Sequence, residues 1–301
     1  LKCRELYKMI DLHIHTTSSD GSEEPEEVIA KAQSAGLKYI SITDHDSIGA
    51  YKKLEKIKVS DYFTGSIITG CEFTAVHDGK PVEILGYDID LESISETGII
   101  SDERFLEREN EYLNKLKDVC KSLGIKFSRN LSIRSGRYFA TQVMHSDIKS
   151  YPENEKHFSK EVWEKINAFY RTCVTNPDSP FFLDQMKNYP TVQEAADLIK
   201  KAGGKAFLAH IYGYIVDDYE SFLDSIISLN VLDGIECYHS LHSMDKTNYL
   251  LDYCSKHKLY ASGGSDYHGK IKPDVKIGES ISGVKIPYEI LEPWLPNNTQ
   301  A

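Results

Sequence analysis

The sequence predicts an α/β fold, a parallel sheet or barrel interrupted by a mostly helical insertion. Three observations predict it. Short apolar runs alternate with amphipathic helical stretches over 1–91 and again over 190–301. The intervening stretch, 92–189, lacks that alternation and carries longer helical periodicity. Nearly every predicted strand of the flanking parts runs into a His, Asp or Glu.

The first strand covers 9–12 and ends at His13. Ser22 is placed to cap a helix, with Glu23, Glu24, Glu26 and Glu27 at its positive end and Pro25 in the first turn, where no amide partner is needed. Val28, Ile29, Ala32 and Ala35 form its apolar face, and Gly36 closes it. A buried strand over 38–43 ends at Asp44 and His45, and a helix follows over 48–57. The third strand, 66–70, ends at Glu72, and 82–86 is the fourth. Within the insertion, 105–123 and 162–173 read as amphipathic helices and 176–180 as a loop. Thr191 then caps a helix over 192–202 that Gly203 and Gly204 close. A strand over 205–209 ends at His210, a helix covers 219–229, and a strand over 234–237 leads to His239 and His242. A helix over 244–256 and a strand over 259–262, running into Asp266 and His268, complete the pattern.

The chain has 301 residues, 41% of them hydrophobic and 27% charged, which supports one large folded domain with an insertion. Its formal net charge of −11 argues against binding duplex nucleic acid, where neutralising phosphate dominates affinity. Small anionic substrates stay open, because bound metals invert a local field. The six cysteines form no CxxC pair and read as buried free thiols of a reducing compartment. No apolar run approaches the roughly 18–20 residues of a membrane span, and 1–10 lacks a signal-peptide core, so a cytoplasmic location is expected.

The chemistry lies in the strand ends. In a βα barrel they meet at one face, where His13, His15, Asp20, His45, Glu72, His210, Asp266 and His268 would converge. His13 and His15, spaced i, i+2, project to one side of a strand, and Asp266 and His268 repeat the spacing. Imidazoles mixed with carboxylates suit Zn, Mn or Fe, and a carboxylate-rich subsite also admits Mg. Neighbouring divalent ions lower the pKa of water and neutralise an attacked phosphate. Each residue also has a plainer reading, with Asp20 and Asp44 as helix caps and Asp266 as a turn residue; joint placement on successive strand ends outweighs it.

These residues resemble the PHP (polymerase and histidinol phosphatase) superfamily. The stretches are Asp11-Leu-His-Ile-His15 with Ser19-Asp20-Gly21, Thr43-Asp-His-Asp46, Gly70-Cys-Glu72, Leu208-Ala-His210 and Gly263-Gly-Ser-Asp-Tyr-His-Gly269. The chain is most similar to stand-alone phosphoesterases of the TrpH type, with which it shares Gly86-Tyr-Asp-Ile-Asp90 and Arg137-Tyr-Phe-Ala140. The resemblance implies a distorted (β/α)7 barrel, split into 1–91 and 190–301 by a helical cap over 92–189, and two or three divalent ions. It implies that His13, His15, Glu72 and Asp266 bind one metal, that Glu72 bridges to a second held also by His210, and that Asp20, His45 and His268 bind a third. Asp44 would orient an imidazole. The family usually has a His where this chain has Glu83; a carboxylate there either ligates with different softness or leaves the second site weak.

On the substrate side, Arg134 and Arg137 are candidates for gripping phosphate through a guanidinium fork. His242 falls in the family's Glu-x-Tyr-x-x-x-His pattern and is a candidate for contacting phosphate or protonating a leaving group; His239 lines the pocket. Lys270 and Lys272 read as a solvated face that draws anions. The implied reaction is hydrolysis of phosphomonoesters of nucleotide-like substrates, such as nucleoside 3′,5′-bisphosphates or the 5′ end of short single-stranded RNA. Alternatives are another small metabolite such as histidinol phosphate, hydrolysis of a C–N bond, and a metal-bound scaffold without activity.

Overall fold

Among the residues described by the computed structural model, 9–134 and 137–295, seven strands form one sheet in the order β1 to β7. They are β1 Met9–Ile14, β2 Leu37–Ile42, β3 Ser66–His77, β4 Lys80–Tyr87, β5 Lys205–Leu208, β6 Gly234–Tyr238 and β7 Tyr260–Gly263. Cys3, expected as a buried thiol, lies outside the described residues. Most neighbours are parallel, but β4 runs against both β3 and β5, which corrects the all-parallel expectation. The cause is local. Asp78 and Gly79 take positive φ values of 47° and 70°, the hairpin conformation that Asp-Gly favours, so no crossover helix intervenes. β3 also runs five residues past Glu72 instead of ending there.

The chain divides into two compact units, Leu1–Ile100 with Tyr189–Ala301, and Ser101–Asn188. In the first, helices α1 Pro25–Ser34, α2 Gly49–Leu54, α3 Leu91–Glu96, α8 Val192–Lys201, α9 Tyr219–Ile227 and α10 Met244–His257 supply apolar faces. Ile29, Ala32, Ile199, Ala196, Leu223 and Leu250 are buried there with Ile40, Ile84 and Ile235 of the strands. A second cluster joins Ile10, Leu12, Leu85, Tyr87 and Phe207 to Ile286, Leu291 and Trp294. The cap of α1 is Glu24, whose carboxylate pairs reciprocally with the turn of Glu27. Ser22, expected there, instead takes the Lys270 N–H at 2.7 Å and ties the first loop to the segment after β7. Thr191 caps α8 as expected, again reciprocally with Glu194.

The second unit comprises α4 Asp102–Leu123, α5 Ala140–Lys149, α6 Lys160–Glu164 and α7 Ile166–Phe169. Its core is Tyr112, Leu113, Leu116, Met144, Phe169 and Phe181. The single helix expected over 162–173 is broken, because Lys165 adopts an extended backbone that ends α6 and starts α7. No described helix is long and apolar enough to cross a membrane. Cys71, Cys120, Cys237 and Cys254 are buried free thiols, whereas Cys173 is only partly buried.

Candidate metal centre

The site is built by strand register. Thr43 N donates to Ile14 O, and Asp46 N donates to Glu72 O at 2.8 Å, so the segments after β1 and β2 are drawn beside β3. Asp266 N donates to His13 O and His15 N to Tyr267 O, both at 2.9 Å, which brings the segment after β7 to β1. That approach needs Gly264. A Cβ there would lie 2.1 Å from the Cβ of His13. Asp266 itself sits at φ 58°, a left-handed conformation that Asp tolerates better than most residues.

Glu72 occupies the middle. Its Oε2 lies 3.3 Å from Nε2 of His13, 3.3 Å from Nε2 of His15 and 3.1 Å from Nδ1 of His45. Its Oε1 is 3.0 Å from Nε2 of His210. Glu83 stands across from Thr74 in the β3–β4 hairpin, on the face shared by Glu72. It reaches Nε2 of His210 at 3.1 Å and Nδ1 of His45 at 3.6 Å. On the other side, Oδ1 of Asp266 is 3.3 Å from Nε2 of His15 and 3.3 Å from Nδ1 of His268. Asp20 closes the rim, 3.3 Å from Nε2 of His268, 3.5 Å from Nδ1 of His15 and 3.9 Å from Nε2 of His45.

The donor set fits divalent cations. Nε2 of His13 and Nε2 of His15 face each other at 3.1 Å. Nδ1 of His13 donates to the Glu236 carboxylate at 2.9 Å, which leaves Nε2 as the nitrogen turned to the cluster and free to ligate once deprotonated. Oε2 of Glu72 is buried without a hydrogen-bond partner. Bare nitrogens and an orphaned carboxylate oxygen aimed at one point make a ligand set. Within it His15, Asp20, His45 and His268 form one group that could hold an ion; others are His13, Glu72 and His210; His13, His15 and Asp266; His45, Glu72 and Glu83; and His13, Glu236 and His239.

The electrostatics agree. Burial resists ionisation throughout, yet the histidines hold Asp20, Glu72 and Asp266 below the usual carboxylate range. Against the same burial, the carboxylates hold His13, His15, His45 and His210 above the usual imidazole value. Such a pocket stabilises positive charge at its centre.

Comparison with known proteins decides the family. The PHP domain matches residues 11–208. This chain belongs to the PHP domain family. The 5′-3′ exoribonuclease Rnm of Escherichia coli (strain K12) is 24% identical over 293 residues, covering 96% of this chain and 95% of that one. The 3′,5′-nucleoside bisphosphate phosphatase of Chromobacterium violaceum is 26% identical over 272 residues, covering 86% and 87%. The crystal structure of a candidate metal-dependent phosphoesterase from Bifidobacterium adolescentis matches with a TM-score of 0.69 at 21% identity, covering 95% of each chain, a likeness of fold.

The PHP centre thus gathers His13, His15, Asp20, His45, Glu72, Glu83, His210, Asp266 and His268, the nine residues singled out as ligands from the sequence. Asp44 is placed differently. Its carboxylate takes Thr16 N, Thr16 Oγ and Ser19 Oγ at 2.7, 2.7 and 2.6 Å. It reaches an imidazole only through Ser19, whose Oγ is 3.4 Å from Nδ1 of His15. His242, expected to contact phosphate or protonate a leaving group, is deeply buried. Nδ1 donates to Cys237 O at 3.0 Å, Nε2 is buried without a partner, and burial aided by His239 pushes its pKa down to about 3. Arg137, in the second unit, pairs with Asp102 at 3.1 Å and lies over the Phe105 ring, while Arg134 of the same unit is exposed. Lys272 is partly exposed and also touches the site, its ammonium contacting Oδ2 of Asp266 at 2.5 Å.

Glu236, the Glu of the Glu-x-Tyr-x-x-x-His pattern, is the residue to which sequence reasoning gave no role. It is fully buried on β6. Oε1 accepts from His13, and Oε2 accepts His210 N–H at 2.8 Å. Its signal was available as a lone acidic residue inside an otherwise apolar strand, Gly234–Tyr238.

Proposed function

We propose that this chain is a metal-dependent phosphoesterase that hydrolyses phosphomonoesters of small nucleotide-like substrates, among them nucleoside 3′,5′-bisphosphates or the 5′ ends of short single-stranded RNA. The observation that carries the reading is the convergence of four imidazoles, His13, His15, His45 and His210, on the one Glu72 carboxylate. The names of the Escherichia coli and Chromobacterium violaceum relatives support the substrate class. The seven-stranded sheet is read as a distorted (β/α)7 barrel and Ser101–Asn188 as its cap.

Two or three divalent ions, of Mn, Fe, Zn or Mg, would be held by His13, His15, Glu72 and Asp266, by Glu72, Glu83 and His210, and by Asp20, His45 and His268. When bound they supply Lewis acidity to phosphate oxygens and lower the pKa of water toward neutrality. The chain's own part is to hold those side chains still. Glu236 fixes the tautomer of His13, Asp44 holds the loop of Thr16 and Ser19 against His15, and Gly264 lets Asp266 close on β1. His242 presents a bare nitrogen for a hydroxyl proton.

The test is phosphate release from a panel of nucleoside bisphosphates, 5′-phosphorylated RNA and sugar phosphates, histidinol phosphate included, with Mn, Mg, Fe or Zn returned to stripped protein. His45→Ala and Asp266→Ala should each abolish turnover and keep the folded circular dichroism spectrum. Full activity in either variant overturns the reading.

A further inference from the structure

The two oxygens of Asp266 face different neighbours. Oδ1 looks into the histidine cluster, toward His15 and His268. Oδ2 faces Nζ of Lys272 at 2.5 Å and Nε2 of His239 at 3.3 Å, on the side where His239 borders His13 and His210. Those two are donors. The Leu241 N–H donates to Nδ1 of His239 at 3.0 Å, which leaves the ring proton on Nε2. That Nε2 is buried and has no hydrogen bond of acceptable geometry. Lys272 reaches the same oxygen from a side chain that is 39% exposed, whereas His239 is fully buried.

We propose that His239 and Lys272 form an anion subsite beside the metal centre, and that it takes a non-bridging oxygen of the substrate phosphate. The inference rests on the phosphoesterase reading above. Oδ2 of Asp266 stands in for that oxygen, being an anionic acceptor in reach of both donors. The chemistry matches a monoester dianion. A buried N–H supplies direction, and a partly exposed ammonium supplies charge with three rotatable donors. A carboxylate shared by cluster and subsite also couples them, because engaging Oδ1 with cations weakens its hold on Lys272.

Lys272→Met tests this at a partly exposed position that folding tolerates, with His239→Gln as a second variant. Inorganic phosphate is the probe, titrated by calorimetry into Mn-loaded protein and read again as a competitive inhibitor. Each variant should bind phosphate about tenfold more weakly, the size of a lost charge-assisted bond, with KM for the phosphomonoester raised alike. Lys272→Arg should recover most of the loss. Mn should still bind both variants, and Lys272→Met no more weakly than the parent, since that change removes a cation that competes for Asp266. Unchanged phosphate affinity in Lys272→Met overturns the proposal, as does a phosphate loss fully explained by lost Mn. If the parent binds Mn and phosphate yet cleaves no phosphomonoester, the phosphoesterase reading fails instead.

Discussion

Glu236 holds His13 by its Nδ1 proton, across 2.9 Å, from inside the sheet. The same carboxylate grips the main chain of His210, so one buried group sets both the tautomer of one ligand and the position of another. Glu236→Gln keeps the size but offers His13 a neutral partner. Metal affinity should fall by roughly 10–100-fold, the cost usual for a lost outer partner of a ligating histidine. Mn titration with a competing chelator measures it, and an affinity equal to the parent's would separate His13 from the metal.

Gly264→Ala should damage the fold itself. Its methyl would meet the Cα, N and Cβ of His13 at 2.7 Å or less, and backbone atoms do not yield as side-chain ends do. A loss of about 3 kcal/mol in urea denaturation is expected, from the overpacking range. A variant as stable as the parent would mean that the β1 and β7 segments are not packed this closely.

Divalent ions should act as folding ligands. Saturating Mn at about 100 times its dissociation constant adds ~2.7 kcal/mol for one site, visible as a rise in Tm. Asp266→Asn should blunt the rise, because Asp266 faces His15 and His268 together. Equal Tm gains in parent and variant would remove Asp266 from the ligand set.

A pH dependence is expected in the second unit. Glu109 is buried, and burial raises its pKa despite the Ala140 N–H and Arg108 beside it. A carboxyl with a raised folded value favours its protonated form in the fold. Its ionisation therefore costs stability as pH rises through the unfolded value, and the cost levels off above the folded one. Glu109→Gln should thus gain on the parent at pH 7.5 relative to pH 4. Denaturation at both values decides it, and a constant difference would refute it.

Most of the cluster was legible because His13, His45, His210 and Asp266 lie just beyond apolar runs, where polar side chains need a reason to be. Glu83 was harder, since it lies inside β4 and is brought round by the hairpin. That hairpin was itself written in Asp78-Gly79 between two β-rich runs, a signal that βα alternation elsewhere obscured. Glu236 escaped for the opposite reason. A buried acid inside a strand looks like an anomaly until its partner, 223 positions away, is known. The break at Lys165 has no Gly or Pro to announce it.

The reversed strand has a further effect on how this centre can change. Glu72 and Glu83 arrive on two legs of one hairpin whose alignment is set by a two-residue turn. Adding or deleting a single residue at that turn would rotate Glu83 to the opposite face and leave Glu72 in place. One flank of the cluster can thus be switched off by an indel at a surface loop, without touching any ligand, which makes the turn a natural point of divergence between proteins built on this sheet.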